Sequence, residues 1–205
     1  MSKPQPWVKF ENISETNGKF VIAPLERGMG TTMGNAMRRV LLSALSGYAV
    51  TSIKIEGVQH EFSTVPGVVE DVFDIISNIK GIIFAGDTDG PFEIELDLKK
   101  GKLTAAQLKL VDGLTVLNQD WYIAEVTEAQ KLTMTLRVEK GLGYSSSEAH
   151  VKPDQTIDTI NLDASFSPIL RVNHLIEHIR VGKELDFDSL TLDVLTDGSI
   201  SPDDD

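Results

Sequence analysis

No cysteine occurs among the 205 residues. Disulfides, thiolate nucleophiles and cysteine metal sites are therefore excluded, and a cytoplasmic location is expected. No apolar run approaches the roughly 18 residues that a spanning helix needs. The opening MSKPQPWVKF also lacks the apolar stretch of a signal peptide, so no membrane role is expected. Positive charge is scarce. Lys and Arg number 19 against 31 Asp and Glu, a net charge of −12. An isolated nucleic-acid binder is normally basic because it must neutralise phosphates, so direct nucleic-acid binding is not expected. Internal repeats and low-complexity linkers are absent as well. What is present, 41% hydrophobic and 24% charged residues, supports one large domain or two small ones.

The stretch PLERGMGTTMGNAMRRVLLSAL (24–45) organises the rest. A turn holding Gly28, Gly30 and Gly34 leads into a helix, for which Thr31 or Thr32 is the expected cap. Met33, Met37, Val40, Leu41, Ala44 and Leu45 recur at three and four, one apolar stripe that leaves Arg38 and Arg39 sideways or outward. A glycine inside such a pattern points to close backbone packing. Before it, 7–13 and 19–24 read as strands of a hairpin with Asn17-Gly18 as the turn cue. A second helix is expected over about 68–79. Its apolar face is Val69, Val72, Phe73, Ile75, Ile76 and Ile79, with Glu70 and Asp71 in the first turn and Gly81 as the stop. Residues 82–150 look β-rich, with LTAAQLKL a short turn or strand edge and GLGYSSSEAHVKPDQT a loop. ILRVNHLIEHIRVG (169–182) is read as a strand, a helix being the alternative, followed by a turn near Gly182-Lys183 and a strand in SLTLDVLTDGSI.

Little here speaks for catalysis. GMGTTMG has the spacing G-x-G-x-x-x-G, one residue too long for a dinucleotide loop, and no G-K-[ST] follows. HLIEH (174–178) matches the short zinc-peptidase pattern. On a helix His174 and His178 would share a face and could grip zinc, with Glu177 as base. On a strand they would stand roughly 13 Å apart, too far for one ion. Asp163, Asp186, Asp188, Asp193 and Asp197 form no calcium loop, and Asp203, Asp204 and Asp205 read as a solvated end. No catalytic, cofactor-binding or metal residue is assigned, and no cofactor is expected. Arginine is enriched at interface hot spots, which makes the Arg38-Arg39 pair a candidate partner anchor.

PLERGMGTTMGNAMRRVLLSAL resembles the signature of the bacterial-type DNA-directed RNA polymerase alpha subunit. IEGVQHEFSTVPGVVEDVFDIISNIKG (55–81), GKLTAAQL (101–108), VEKGLGY (138–144), LDASFSPILRV (162–172) and LTLDVLTDGSISP (190–202) match in the family's order. The resemblance implies an α+β fold in which an α/β dimerisation subdomain, 1–46 plus 168–205, is interrupted by an inserted β-rich subdomain, 47–167. It implies a non-catalytic scaffold of a nucleotidyltransferase complex for transcription. The chain would homodimerise, then nucleate assembly of the beta and beta-prime subunits. A dimer interface is implied through Met29, Met33, Met37, Val40, Leu41 and Ala44, with beta docking at Arg38, Arg39 and Leu42 and beta-prime docking at Lys80, Leu162 and Asp163. The stretch holding HLIEH is a strand in the family. In the family the chain also continues past this point into another helix and a DNA-binding domain; with SPDDD at 201–205, those roles are not expected of this sequence. A free-standing dimeric adaptor, or an enzyme using the glycine turn for a nucleotide or HLIEH for zinc, are the alternatives.

Overall fold

The computed structural model describes residues 5–127, 131–182 and 184–203, and the side chains of 184–186 are outside it. Lys183 of the expected turn, Asp204 and Asp205 thus lie outside the described residues, as does the side chain of Asp186. The first elements are β1 (Trp7–Ser14), β2 (Asn17–Glu26), α1 (Met29–Ser43), β3 (Ser46–Ile55), α2 (Val72–Lys80), β4 (Phe84–Gly86), β5 (Phe92–Leu98) and β6 (Gly101–Thr104). Then come β7 (Leu114–Val116), β8 (Tyr122–Val126), β9 (Leu132–Leu142), β10 (Tyr144–Ser145), β11 (Thr159–Asn161), β12 (Ala164–Ser165), β13 (Ile169–Val181) and β14 (Glu184–Thr196). The fold is α+β. It divides into two compact units, one of residues up to Leu45 plus those from Ser167 on, the other Ser46–Phe166.

In the first unit α1 covers an antiparallel sheet of order β1-β2-β14-β13. Inward residues of β14 alternate as Leu190, Leu192 and Val194, joined by Ile22, Leu25, Ile169 and Val172. The stretch 169–182 is a strand, paired along its length with β14. The β1–β2 turn falls at Glu15-Thr16, two residues before the expected cue, and Asn17 already pairs with Ser14. Gly18 serves the strand instead. A Cβ there would meet Pro202 Cβ at 2.6 Å and the Phe10 ring at 2.7 Å.

The second unit holds the sheet β11-β3-β9-β5 and α2 over the larger core. Along β9, Leu132, Met134, Leu136 and Val138 are buried while Thr133, Thr135 and Arg137 are not, the period-2 signature of a half-buried strand. Helix α2 starts at Val72, later than expected. Residues 67–69 spend their backbone groups on another segment: Val69 N–H donates to Glu125 O and Thr127 N–H to Gly67 O. Asp71 is the cap, accepting from Asp74 N–H at 2.8 Å. Val69 and Phe73 are consequently exposed, and the buried face is Val72, Ile75, Ile76 and Ile79. Glu70 does not enter the helix. It accepts from Tyr122 O–H and, at 2.8 Å, from Glu125 N–H. GLGYSSSEAHVKPDQT is not wholly a loop, for it contains β10 and a 3-10 turn, Ser147–His150. LTAAQLKL combines the end of β6 with a 3-10 turn, Ala105–Gln107, where Gln107 Oε1 accepts from Thr104 N–H.

Candidate functional site

The start of α1 is built on backbone, not on a hydroxyl cap. Gly28 takes the capping position in the left-handed region (φ 85°), open to glycine at no steric cost. No side chain of α1 caps the N–H groups, and Thr32 Oγ1 instead donates to Gly28 O. The partner comes from β14. Asp188, 1% exposed, accepts from Gly28 N–H at 2.8 Å and Gly30 N–H at 3.2 Å through Oδ2. Its Oδ1 accepts from His178 Nδ1 at 3.0 Å, the residue opposite it on β13. Burial pushes the Asp188 carboxyl up, but Gly28, His178 and Gly30 outweigh it and hold the group below its ordinary value. A helix N-terminus favours an anion, and here the chain's own carboxylate fills the seat that a nucleotide phosphate would use.

Gly30 and Gly34 are the buried residues of α1. A Cβ at Gly34 would stand 2.9 Å from the His174 ring and 3.0 Å from Leu190; one at Gly30 would meet Ile176 at 3.0 Å and Asp188 at 3.1 Å. These two positions, one turn apart, therefore select the face laid on the sheet. Met33, Met37, Leu41 and Leu42 pack beside it, half-buried, with Leu45 following. The expected stripe is corrected accordingly: Val40 is 57% exposed and Ala44 is exposed too; Met29, outside that stripe, is also exposed. Arg38 and Arg39 are exposed as well, with Arg38 and Val40, two residues apart, on different flanks of the helix. Met37, Leu41 and Leu45 line an apolar groove of about 260 Å³ with Val8, Phe20 and Ile200.

In the second unit Lys80 ends α2, exposed. Asp163 is exposed and accepts from Ser147 N–H at 2.7 Å. The Ser147 backbone and hydroxyl hold its carboxyl below the ordinary value, and the nearby Lys80 charge adds to this. Leu162 is in the core, 4% exposed, so its side chain supports this surface from beneath. His174 and His178 sit on a strand, His174 half-buried under α1 and His178 bound to Asp188. Among the described residues no group of three or more His, Asp or Glu converges to hold a metal.

The sequence reading weighed Asp188 only as a calcium ligand and missed its role at the helix start, although a signal existed. It falls in the inward phase of Leu190, Leu192 and Val194, where a carboxylate requires dedicated partners.

Residues 53–167 match the family described as RNA polymerase Rpb3/RpoA insert domain. Across nearly the whole chain the sequence is similar to proteins named DNA-directed RNA polymerase subunit alpha. Identity is 48% to that of Moorella thermoacetica and 49% to that of Carboxydothermus hydrogenoformans, each over 97% of this chain and 64% of the relative. It is 48% to that of Nitratidesulfovibrio vulgaris, over 98% of this chain and 59% of the relative. The chain thus spans less than two thirds of the length of these curated relatives.

Proposed function

Because the chain belongs to the RNA polymerase Rpb3/RpoA insert-domain family, we propose that it is a non-catalytic assembly subunit of a cytoplasmic DNA-directed RNA polymerase. Two copies pair through the unit that carries α1, the dimerisation subdomain, with the β-rich unit inserted into it. The dimer then gathers the beta and beta-prime subunits. The observation that carries this reading is the outward side of α1. An exposed valine and two exposed arginines stand on a helix laid on the sheet by Gly30 and Gly34, with Arg39 directed away from the glycine face and Arg38 and Val40 on its two flanks. Arg39, with Arg38, is the beta-docking anchor. Leu42, half-buried, shapes the helix surface beneath it. Met29, Val40 and Ala44 offer apolar surface to the second copy, with Met37 and Leu41 lining the groove and Met33 half-buried nearby. Lys80 and Asp163 form the charged part of the beta-prime surface, held up by Leu162.

Affinity capture with the tagged chain from its source lysate, probed for beta and beta-prime, tests the reading. Recovery of both is expected. A dimer that recovers neither would instead identify a free-standing adaptor.

A further inference from the structure

The second unit contains a cavity of about 400 Å³ that the assembly role does not use. Its floor is the polar face of the sheet, with Thr51, Ser52 and Lys54 from β3 and Thr135 and Arg137 from β9. A register shift between Val50 and Ser52 turns neighbouring residues of β3 to this side. Its other wall is His150, Lys152, Asp154, Gln155, Thr156 and Thr159. That wall is held in place. Gln155 and Asn161 exchange hydrogen bonds at 2.7 and 3.1 Å, Lys152 N–H donates to Gln155 Oε1, and Lys54 reaches Thr156 and Asp158. Pre-formed cavities of a few hundred Å³ with convergent polar groups are the usual form of small-molecule sites.

Two features define what it would take. First, the His150 side chain is only 10% exposed, and its Nε2 is buried with no hydrogen-bond partner. Its Nδ1 lies 4.0 Å from Glu139 Oε2. An unpaired buried nitrogen carries a desolvation cost; the imidazole lines the cavity, and a turn of the ring would bring Nε2 to a ligand atom there. Second, the wall is rich in cationic donors. Lys54, Arg137 and Lys152 line it against the carboxylates Glu93 and Asp154, of which Glu93 is 68% exposed at the side chain. Glu139 Oε1 accepts from Arg137 Nε at 2.7 Å and Lys152 Nζ at 3.0 Å, which orients both side chains. Arg137 Nη1 reaches Glu93 at 3.4 Å, while Nη2 takes part in neither pair. Guanidinium and ammonium donors fixed by a neighbouring carboxylate suit an oxyanion.

We propose that this cavity is a binding site for a small phosphate-type oxyanion, contacted by Arg137, Lys152 and the His150 imidazole. Inorganic phosphate titrated into the full 205-residue chain at constant ionic strength, followed by NMR at the His150 ring, is the test. Saturable shifts with a Kd of about 1 mM or tighter are expected. Arg137→Gln should weaken binding by about tenfold or more. His150→Phe, which keeps a ring against Phe166, should weaken it as well, whereas Lys102→Gln, at the exposed position of β6, should not. Thermal melts of each variant separate lost binding from lost fold. A linear, unsaturated response, or equal affinity in folded Arg137→Gln and His150→Phe, would overturn the site.

Discussion

A carboxylate facing the interior of a sheet must be answered by donors, and Asp188 is answered by the first amides of α1. Removing it leaves those N–H groups without an acceptor. Asp188→Ala is expected to cost about 1.5–3 kcal/mol, the range for a hydrogen bond to a charged group, read as a shift in urea midpoint at neutral pH. The pH dependence has a definite sign. The folded carboxyl titrates below its ordinary value, so its contribution is present above the unfolded pKa of about 3.9 and fades as pH falls through the folded value. Urea midpoints measured downward from neutral pH should drop in that acid window, and Asp188→Ala should remove part of the drop. An unchanged acid limb would mean that the carboxylate is not ionised in the native state.

Helix α1 shows at the scale of an element why a hydrophobic stripe is an incomplete guide. Its existence was legible from the spacing of Met33, Met37 and Leu41. Its orientation was not, because the residues nearest the sheet are Gly30 and Gly34, which carry no side chain to count. Gly34→Val should therefore destabilise by about 1–3 kcal/mol through overpacking against His174 and Leu190. Val40→Ala, at an exposed position, should stay within about 0.5 kcal/mol at a dilution that keeps the chain monomeric. Denaturant unfolding of both variants checks the orientation, and the reverse ranking would contradict it. The strands were readable where one face is buried, as along β9. The start of α2 was not, since the pairing of 67–69 with 125–127 joins segments far apart in sequence. The glycine turn shared the helix-leading position of a phosphate loop but not its vacancy, since the acceptor lies 160 residues downstream.

At the scale of the whole molecule, the proposed reading requires two copies of the chain to pair. Light scattering of the purified chain is expected at about twice its 22.5 kDa mass. Val40→Glu should lower that mass toward a single chain by placing charge on the pairing surface. A wild-type monomer would remove the first step of the proposed assembly order.

The direct test is quantitative capture of purified beta subunit by the wild-type chain and by Arg39→Ala. If Arg39 is the docking anchor, its truncation costs at least about 2 kcal/mol, roughly a thirtyfold loss of affinity, while light scattering shows the dimer unchanged. Equal capture by both chains, or no capture by the wild type, would contradict the assignment of α1 as the surface on which the polymerase is assembled.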